Sequence, residues 1–345
     1  MMNTETNVTA AGTARKKTQL EDIAAALGLS KSTVSRAISG KGRISAETRE
    51  RVFAAIKEMN YRPNMIAKSL SESKTYNIGV VLPMDSSESE APFFQTCLMG
   101  IGKECAVRDY DAVVITTDKE DLSQLRRVVE NRKVDGVIIS RPLRTPKMEE
   151  FLRENEMPFV VIGQSMMSDA VTVDSNHREG CKTLTQYLLM PNTPARIGLL
   201  LGNMQHTVNQ SRYAGFTDAY AALNMEPAED MIFTGADSPL QFSKAVSALL
   251  RQEPRCILCG DDVICTQLLT ELSNLGRRVP EDVWVASFYG SAYLDHYNPP
   301  ITSLIFDATS LGATAASVLL DLLSGAAVPQ ETMLSFEMLI RKSTL

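Results

Sequence analysis

The hydrophobic pattern of the chain changes period near residue 75. Before it, apolar positions recur at helical spacing: Leu20, Ile23, Ala24 and Leu27, then Val34 and Ile38, then Val52, Ile56 and Met59. Thr18-Gln-Leu-Glu21 has the form of a capping box, with the Thr18 hydroxyl accepting the third amide while Glu21 reaches back. Gly28 breaks this first helix, because a turn there is open to a residue without a Cβ. Ser30 stands at the cap of a second helix over residues 31–38, and Ser45 opens a third over 46–59. Two short helices around a tight turn, closed by a third, predict an all-α helix-turn-helix head.

After residue 75 the pattern becomes short apolar runs separated by helix lengths. The runs are 77–82, 112–116, 136–139 and 159–162, with an amphipathic stretch at 94–108. They restart at 196–201 and continue through 231–233, 256–259 and 283–286, ending on 333–340. Continuous apolar strands alternating with helices predict parallel sheets covered on both faces. The restart predicts an α/β core of two doubly wound parallel-sheet subdomains, about 76–175 and 176–305, with crossover strands near 163–174 and 287–310. The multidomain chain is thus divided into a disordered leader (1–17), a head (18–62), a hinge helix and linker (63–75) and a core (76–345).

Charge sharpens this division. The 345 residues carry a net charge of −6, which alone argues against a polyanionic partner. Residues 1–75, however, hold 13 Lys/Arg against 7 Asp/Glu, leaving 22 basic and 34 acidic residues for the remainder. A basic head on an acidic body predicts that one end meets a polyanion. On the second helix Val34 and Ile38 turn inward, leaving Lys31, Ser32, Ser35 and Arg36 outward. Small polar side chains let a helix approach base edges in the major groove, and arginine forks onto guanine. Residues 65–70 are too short to be a stable helix alone. They are either a plain linker or a segment that orders on DNA and wedges Leu70 into the minor groove.

No apolar run approaches the ~18 residues of a membrane helix, and the polar leader lacks a signal-peptide core. The expected place of action is therefore the cytoplasm, at the nucleoid, with no membrane partner. The six cysteines lie mostly in apolar segments and are expected as buried thiols. Cys256 and Cys259 sit three apart on one strand, which points them to opposite faces and disfavours a shared metal or disulfide. His177, His206 and His296 lack metal-ligand spacing, and there is no nucleophile elbow or P-loop. Gly100-Ile-Gly102 lacks a third glycine and falls within a helical pattern. Adjacent carboxylates at Asp261-Asp262 do not by themselves make a cation site. An enzyme is not expected, nor a cofactor.

The run Leu20-Glu-Asp-Ile-Ala-Ala-Ala-Leu-Gly-Leu-Ser-Lys-Ser-Thr-Val-Ser-Arg36, with Ile44-Ser45, Thr48-Arg49 and Asn60-Tyr-Arg-Pro-Asn64, closely resembles the LacI/GalR family of transcriptional regulators. Pro92-Phe-Phe94, Val134-Asp-Gly136, Ser211-Arg212-Tyr-Ala-Gly-Phe216 and Pro299-Pro-Ile-Thr-Ser303 extend the resemblance through a periplasmic-binding-protein-like core. It implies base contacts from Lys31, Ser32 and Arg36, and phosphate contacts from Ser30, Thr33, Ser35 and Ser45. It also implies a hinge helix over 64–70 in which Asn64, Ala67 and Leu70 meet the centre of a palindromic double-stranded DNA operator, bound by a homodimer and more in keeping with repression than activation. No leucine heptad follows residues 333–340, so a dimer is expected rather than a tetramer.

A small-molecule effector is expected in the cleft, with Phe93, Phe94, Ser140, Gln164, Arg212, Asp261, Tyr289 and Phe306 as candidate contacts. Arg212 stands where the family clamps its ligand. Departures from the family pattern bear on effector chemistry. Asp261-Asp262 replaces Asn-Asp, Tyr289-Gly290 and Gly163-Gln164 replace usual acidic positions, and Phe306 replaces a usual glutamine. Such a pocket is less suited to a sugar than to a molecule pairing a ring or apolar group with a charged end. The alternatives are a core that answers to a phosphorylated protein co-repressor and a free-standing solute-binding protein.

Overall fold

The computed structural model describes residues 18–39, 42–61, 69–70, 72–83, 92–117, 121–189, 196–235 and 238–345. The leader 1–17, and Asn64 and Ala67 of the expected hinge, lie outside the described residues. The chain divides into two compact units, 1–74 and 75–345.

The head holds α1 (Leu20–Leu27), α2 (Lys31–Ser39) and α3 (Ala46–Glu58). Its core is Ile23 and Ala24 of α1, Val34 and Ala37 of α2, and Val52 and Ala55 of α3. Leu20, Leu27, Ile38, Ile56 and Met59 pack around that centre, half-buried. Gly28 stops α1 at φ 64°, in the left-handed region where a Cβ is strained. The cap of α1 differs from the sequence reading by one residue. Gln19 is the N-cap, and its amide donates to the Asp22 carboxylate at 2.7 Å. The Thr18 hydroxyl instead donates to the Met59 carbonyl at 3.0 Å, tying the segment before α1 to the end of α3. Glu21, freed from capping, faces outward.

The core contains two six-stranded sheets. The first has the order β11-β5-β4-β3-β1-β2, built from β1 (Asn77–Pro83), β2 (Asp111–Thr117), β3 (Gly136–Ile139), β4 (Phe159–Ile162), β5 (Thr172–Asp174) and β11 (Glu331–Met333). Helices α4 (Pro92–Val107), α5 (Ser123–Glu130), α6 (Lys147–Glu154) and α12 (Ala308–Leu323) pack with it. The second has the order β12-β10-β9-β8-β6-β7, from β6 (Ile197–Leu201), β7 (Ile232–Thr234), β8 (Cys256–Cys259), β9 (Trp284–Ser287), β10 (Thr302–Ile305) and β12 (Glu337–Leu339). With it go α7 (His177–Leu188), α8 (Thr207–Ala221), α9 (Pro239–Arg251), α10 (Asp262–Asn274) and α11 (Ala292–His296). Every pairing is parallel except β10 with β12.

The chain passes between the two lobes three times, at 174–177, 305–308 and 333–337. The sequence reading had two crossings and one terminal strand over 333–340. That run is instead split: β11 adds to the first sheet beside β5, and β12 adds to the second beside β10. Its hydrophobicity is continuous, but the two halves serve different layers, a distinction periodicity does not carry. Three-residue strands such as β5 fall below the length at which a pattern is visible.

Local reasons for this architecture are specific. Asp135, between Val134 and Gly136, accepts from the Thr75 amide at 2.7 Å, the Thr75 hydroxyl at 2.9 Å and the Tyr76 amide at 2.8 Å. One carboxylate thereby fixes where β1 begins. Cys256 packs in one hydrophobic cluster of the second lobe and Cys259 in another, on opposite faces of β8. All six cysteines are buried and unbridged.

Helices α4 and α12 cross almost backbone to backbone. A Cβ on Gly100 would stand 2.0 Å from the Thr309 carbonyl oxygen, and one on Gly312 would stand 2.1 Å from that of Cys97. Gly102, two residues along α4, has nothing within 4 Å of its Cβ position. Gly100→Ala should therefore destabilise the core by about 1–3 kcal/mol through overpacking. Gly102→Ala should be neutral or stabilising by up to ~1 kcal/mol through helix propensity. Urea titration of the two variants measures the contrast.

Glu149, in the first turn of α6, is fully buried, and neither carboxylate oxygen has a hydrogen-bond partner among the described residues. Burial pushes its carboxyl from the ordinary 4.5 up to about 7, with Glu150 adding to the rise. The folded state thus holds this proton more tightly than the unfolded chain does. The stability of the protonated form is fully present below pH 4.5 and is lost as pH rises through about 7. Glu149→Gln should be more stable than the parent at pH 8 by about 2–3 kcal/mol. Denaturation at pH 8 and pH 4.5 should show that gap closing at the lower pH.

Candidate functional site

The recognition surface of the head follows from what α2 buries. With Val34 and Ala37 inside, Lys31, Ser32, Ser35 and Arg36 are exposed along one side and Thr33 is half-buried. The Ser30 hydroxyl accepts from the Thr33 amide at 3.1 Å and caps the helix. It also lies 2.8 Å from the hydroxyls of Ser32 and Thr33. These three hydroxyls form a compact polar cluster with no bulk, at the end of α2 that a groove-binding helix presents to bases. Ser45 caps α3, accepting from the Thr48 amide at 3.2 Å. The Lys31 ammonium donates to the Glu21 carboxylate, a partner absent from the sequence reading because that reading had Glu21 capping α1. Leu70, in the helical stretch before the core, is 85% exposed.

The cleft of the core is lined at the carboxyl ends of the strands, where open parallel sheets place their loops. It encloses about 1520 Å³, solvent at its mouth included. Seven of the eight sequence-predicted residues come together there. Phe93 and Phe94 open α4, Ser140 follows β3, and Gln164 follows β4 from the first lobe. Arg212 on α8, Asp261 before α10 and Tyr289 after β9 come from the second. The eighth, Phe306, does not line the cleft. It lies behind Tyr289, rings near-parallel at 6.1 Å, and touches His177 at 4.4 Å between ring centres. Phe93 meets Tyr289 edge-on at 6.0 Å, so an aromatic corner spans the two lobes.

Arg212 is the polar centre. It is 7% exposed; its Nη1 donates to Asn209 Oδ1 at 3.0 Å and stands 3.6 Å from Asp261 Oδ2. Its Nε–H is buried without a partner among the described residues. Asp261 is itself held, accepting the Ile264 amide at 2.9 Å as N-cap of α10. The Ser140 hydroxyl donates to the Val81 carbonyl at 2.6 Å, leaving its oxygen as an acceptor. Gln164 accepts from the Ser211 hydroxyl at 3.0 Å, a hydrogen bond between lobes. A backbone bridge pairs Leu143 with His206, and the Arg144 amide donates to the Gln205 carbonyl at 2.7 Å. These bonds join the lobes beside the cleft, in addition to the three crossings.

Sequence reasoning missed Asp174, His177, Asn209 and the cleft-facing role of Asp262. Burial raises the Asp174 carboxyl, against the pull of the Ser175 amide and Arg212. Burial likewise raises Asp262. Desolvation, reinforced by Arg212, pushes His177 down to about 3, so its ring is neutral. Asp174 ends the three-residue β5 and His177 opens the helix after it, so neither had a visible strand to anchor it. Asn209 had a signal, lying three residues before Arg212 on one helix face.

A helix-turn-helix head and a two-lobed core with a polar cleft are the parts of a DNA-binding transcriptional regulator with an effector-binding core. Residues 19–64 match the model described as bacterial regulatory proteins, lacI family, and residues 194–344 match the periplasmic binding protein-like domain. Residues 19–64 thus form a DNA-binding domain of the lacI type, and the second lobe is periplasmic-binding-protein-like.

It is 27% identical over 307 residues to the HTH-type transcriptional repressor PurR of Actinobacillus pleuropneumoniae serotype 3 (strain JL03), covering 88% of this chain and 90% of that one. The PurR of Haemophilus influenzae (strain PittEE) is 26% identical over 333 residues, covering 94% and 98%. Among solved structures, a transcriptional regulator CelR–cellobiose complex superposes with a TM-score of 0.71 at 27% identity, over 95% of this chain and all of that one. The lac repressor dimer bound to operator and the anti-inducer ONPF shares the fold, with a TM-score of 0.77 at 24% identity over 96% of this chain and 100% of that one. No helix among the described residues is long and apolar enough to cross a membrane.

Proposed function

We propose that the chain represses transcription as a homodimer on a palindromic operator, in the cytoplasm, gated by a small molecule that pairs a ring with a charged end. The observation that carries the effector reading is the buried Arg212, its Nε–H unmatched, beside the aromatic corner of Phe93 and Tyr289. A buried donor left without an acceptor costs ~1–3 kcal/mol, which a ligand oxygen or nitrogen would recover. The ring stacks against Phe93 and Tyr289. The charged end meets Arg212 if it is acidic, or Asp261, Asp174 and Asp262 if it is basic.

The same ligand touches both lobes, so its affinity depends on how far the cleft is closed. That difference is the free energy available for gating, typically ~1–3 kcal/mol, or about 5- to 150-fold in operator affinity. Two heads reading two half-sites match the two-fold symmetry of a palindrome. Lys31, Ser32 and Arg36 supply base contacts; Ser30, Thr33, Ser35 and Ser45 supply phosphate contacts. Leu70, exposed without DNA, inserts at the operator centre; Asn64 and Ala67, outside the described residues, belong to the same segment.

Two experiments follow. Ring-bearing acids and amines are screened by thermal shift, and each hit is tested for its effect on operator affinity. Arg212→Met should weaken a productive hit at least about tenfold while operator binding without ligand persists. An operator affinity that ignores every small molecule and responds to a phosphorylated protein would overturn effector gating. Leu70→Ala should lower operator affinity while sparing binding to random DNA. Equal losses on both would remove the wedge.

A further inference from the structure

Glu21 places a carboxylate beside the recognition helix of a head that meets a polyanion. It is exposed in the first turn of α1, and the Lys31 ammonium at the start of α2 reaches it directly. Held by that partner, the Glu21 carboxyl titrates below its ordinary range. As a stabilising ion pair between two exposed side chains this is worth little. Its position is what matters, because Lys31 is among the groups that face DNA if the repressor reading holds, and the present inference rests on that reading.

A carboxylate on such a face is repelled by phosphates unless it meets a hydrogen-bond donor. In the major groove the base donors are the amino groups of cytosine and adenine, and the groups that attract lysine are guanine O6 and N7. A lysine and a glutamate held together match the two halves of one base pair, guanine on one strand and cytosine on the other. The hydroxyls of Ser30, Ser32 and Thr33 are turned toward one another. Their small size leaves the pair room to reach the base edges.

We propose that Glu21 and Lys31 form one charge-neutral reading unit, Lys31 donating to guanine and Glu21 accepting from the cytosine paired with it, so that each half-site carries a G·C pair specified by both residues. Glu21 is then a specificity residue supplied by α1, outside the recognition helix. The pair also keeps Lys31 from spending its charge on a phosphate, where it would bind all sequences alike.

The test is selection from a random duplex pool with the full-length parent, Glu21→Gln and Lys31→Gln. The parent should select a G·C pair at a position of each half-site with a preference of about tenfold or more. Both variants should lose that preference, to below about threefold, and keep the others. Freed of its partner, Lys31 in Glu21→Gln should also steepen the log–log salt dependence of binding by about 0.9 per head.

A Glu21→Gln variant selecting the same sequence with the same preferences would overturn the unit. So would two variants that lose preference at different positions, which is the signature of independent contacts. If Glu21→Gln lowers the melting temperature, Glu21→Asp makes the same distinction by shortening the reach with the charge retained. A parent that selects no sequence would overturn the operator reading, and this inference with it.

Discussion

The first lobe of the core is not finished until the second has been made. Its sheet gains β11, and α4 gains its closest neighbour α12, from residues that follow β10 in the chain. The contact between α4 and α12 is made at Gly100 and Gly312, where any Cβ would collide with the facing backbone. Three short connections then hold the lobes as neighbours. The gating proposed above requires this cleft to open and close without either lobe unfolding.

The position of the cleft follows from the same constraint. Parallel strands end their carboxyl termini on one side, so β3, β4, β6, β8 and β9 deliver Ser140, Gln164, Asn203, Asp261 and Tyr289 to a shared space. Arg212 reaches it from α8, with Asn209 and Asp261 fixing its orientation. The polar groups are thus pre-organised against an aromatic wall that draws on both lobes. Burial holds the Asp174 and Asp262 carboxyls above their ordinary range.

Much of this was legible in the chain before folding. The head declares itself by helical spacing, the glycine turn at Gly28 and small polar residues on the outer side of α2. The α/β core declares itself by its apolar runs; Ser140, Gln164, Asp261 and Tyr289 reach the cleft because strand ends are predictable, while Phe93, Phe94 and Arg212 lie on helices and were placed by the family resemblance. What was not legible is non-local. The split of 333–340 between two sheets depends on which edge strand each half meets. Phe306, just past β10, is buried in the second lobe's core behind Tyr289, and periodicity says nothing of that. Glu21 was assigned to a cap because Thr18 and Glu21 have the right spacing, while Gln19 and Asp22 had it too. The choice is made by Thr18 finding the Met59 carbonyl 41 residues away.

The head and the cleft acquire a common purpose only if the chain recognises a defined sequence. The most direct measurement is the affinity, at physiological salt, for the duplex recovered by selection, set against a scrambled duplex of the same length. A palindromic sequence bound ~10³-fold or more above the scramble is the predicted result. Equal binding of both, with or without added small molecules, would contradict it.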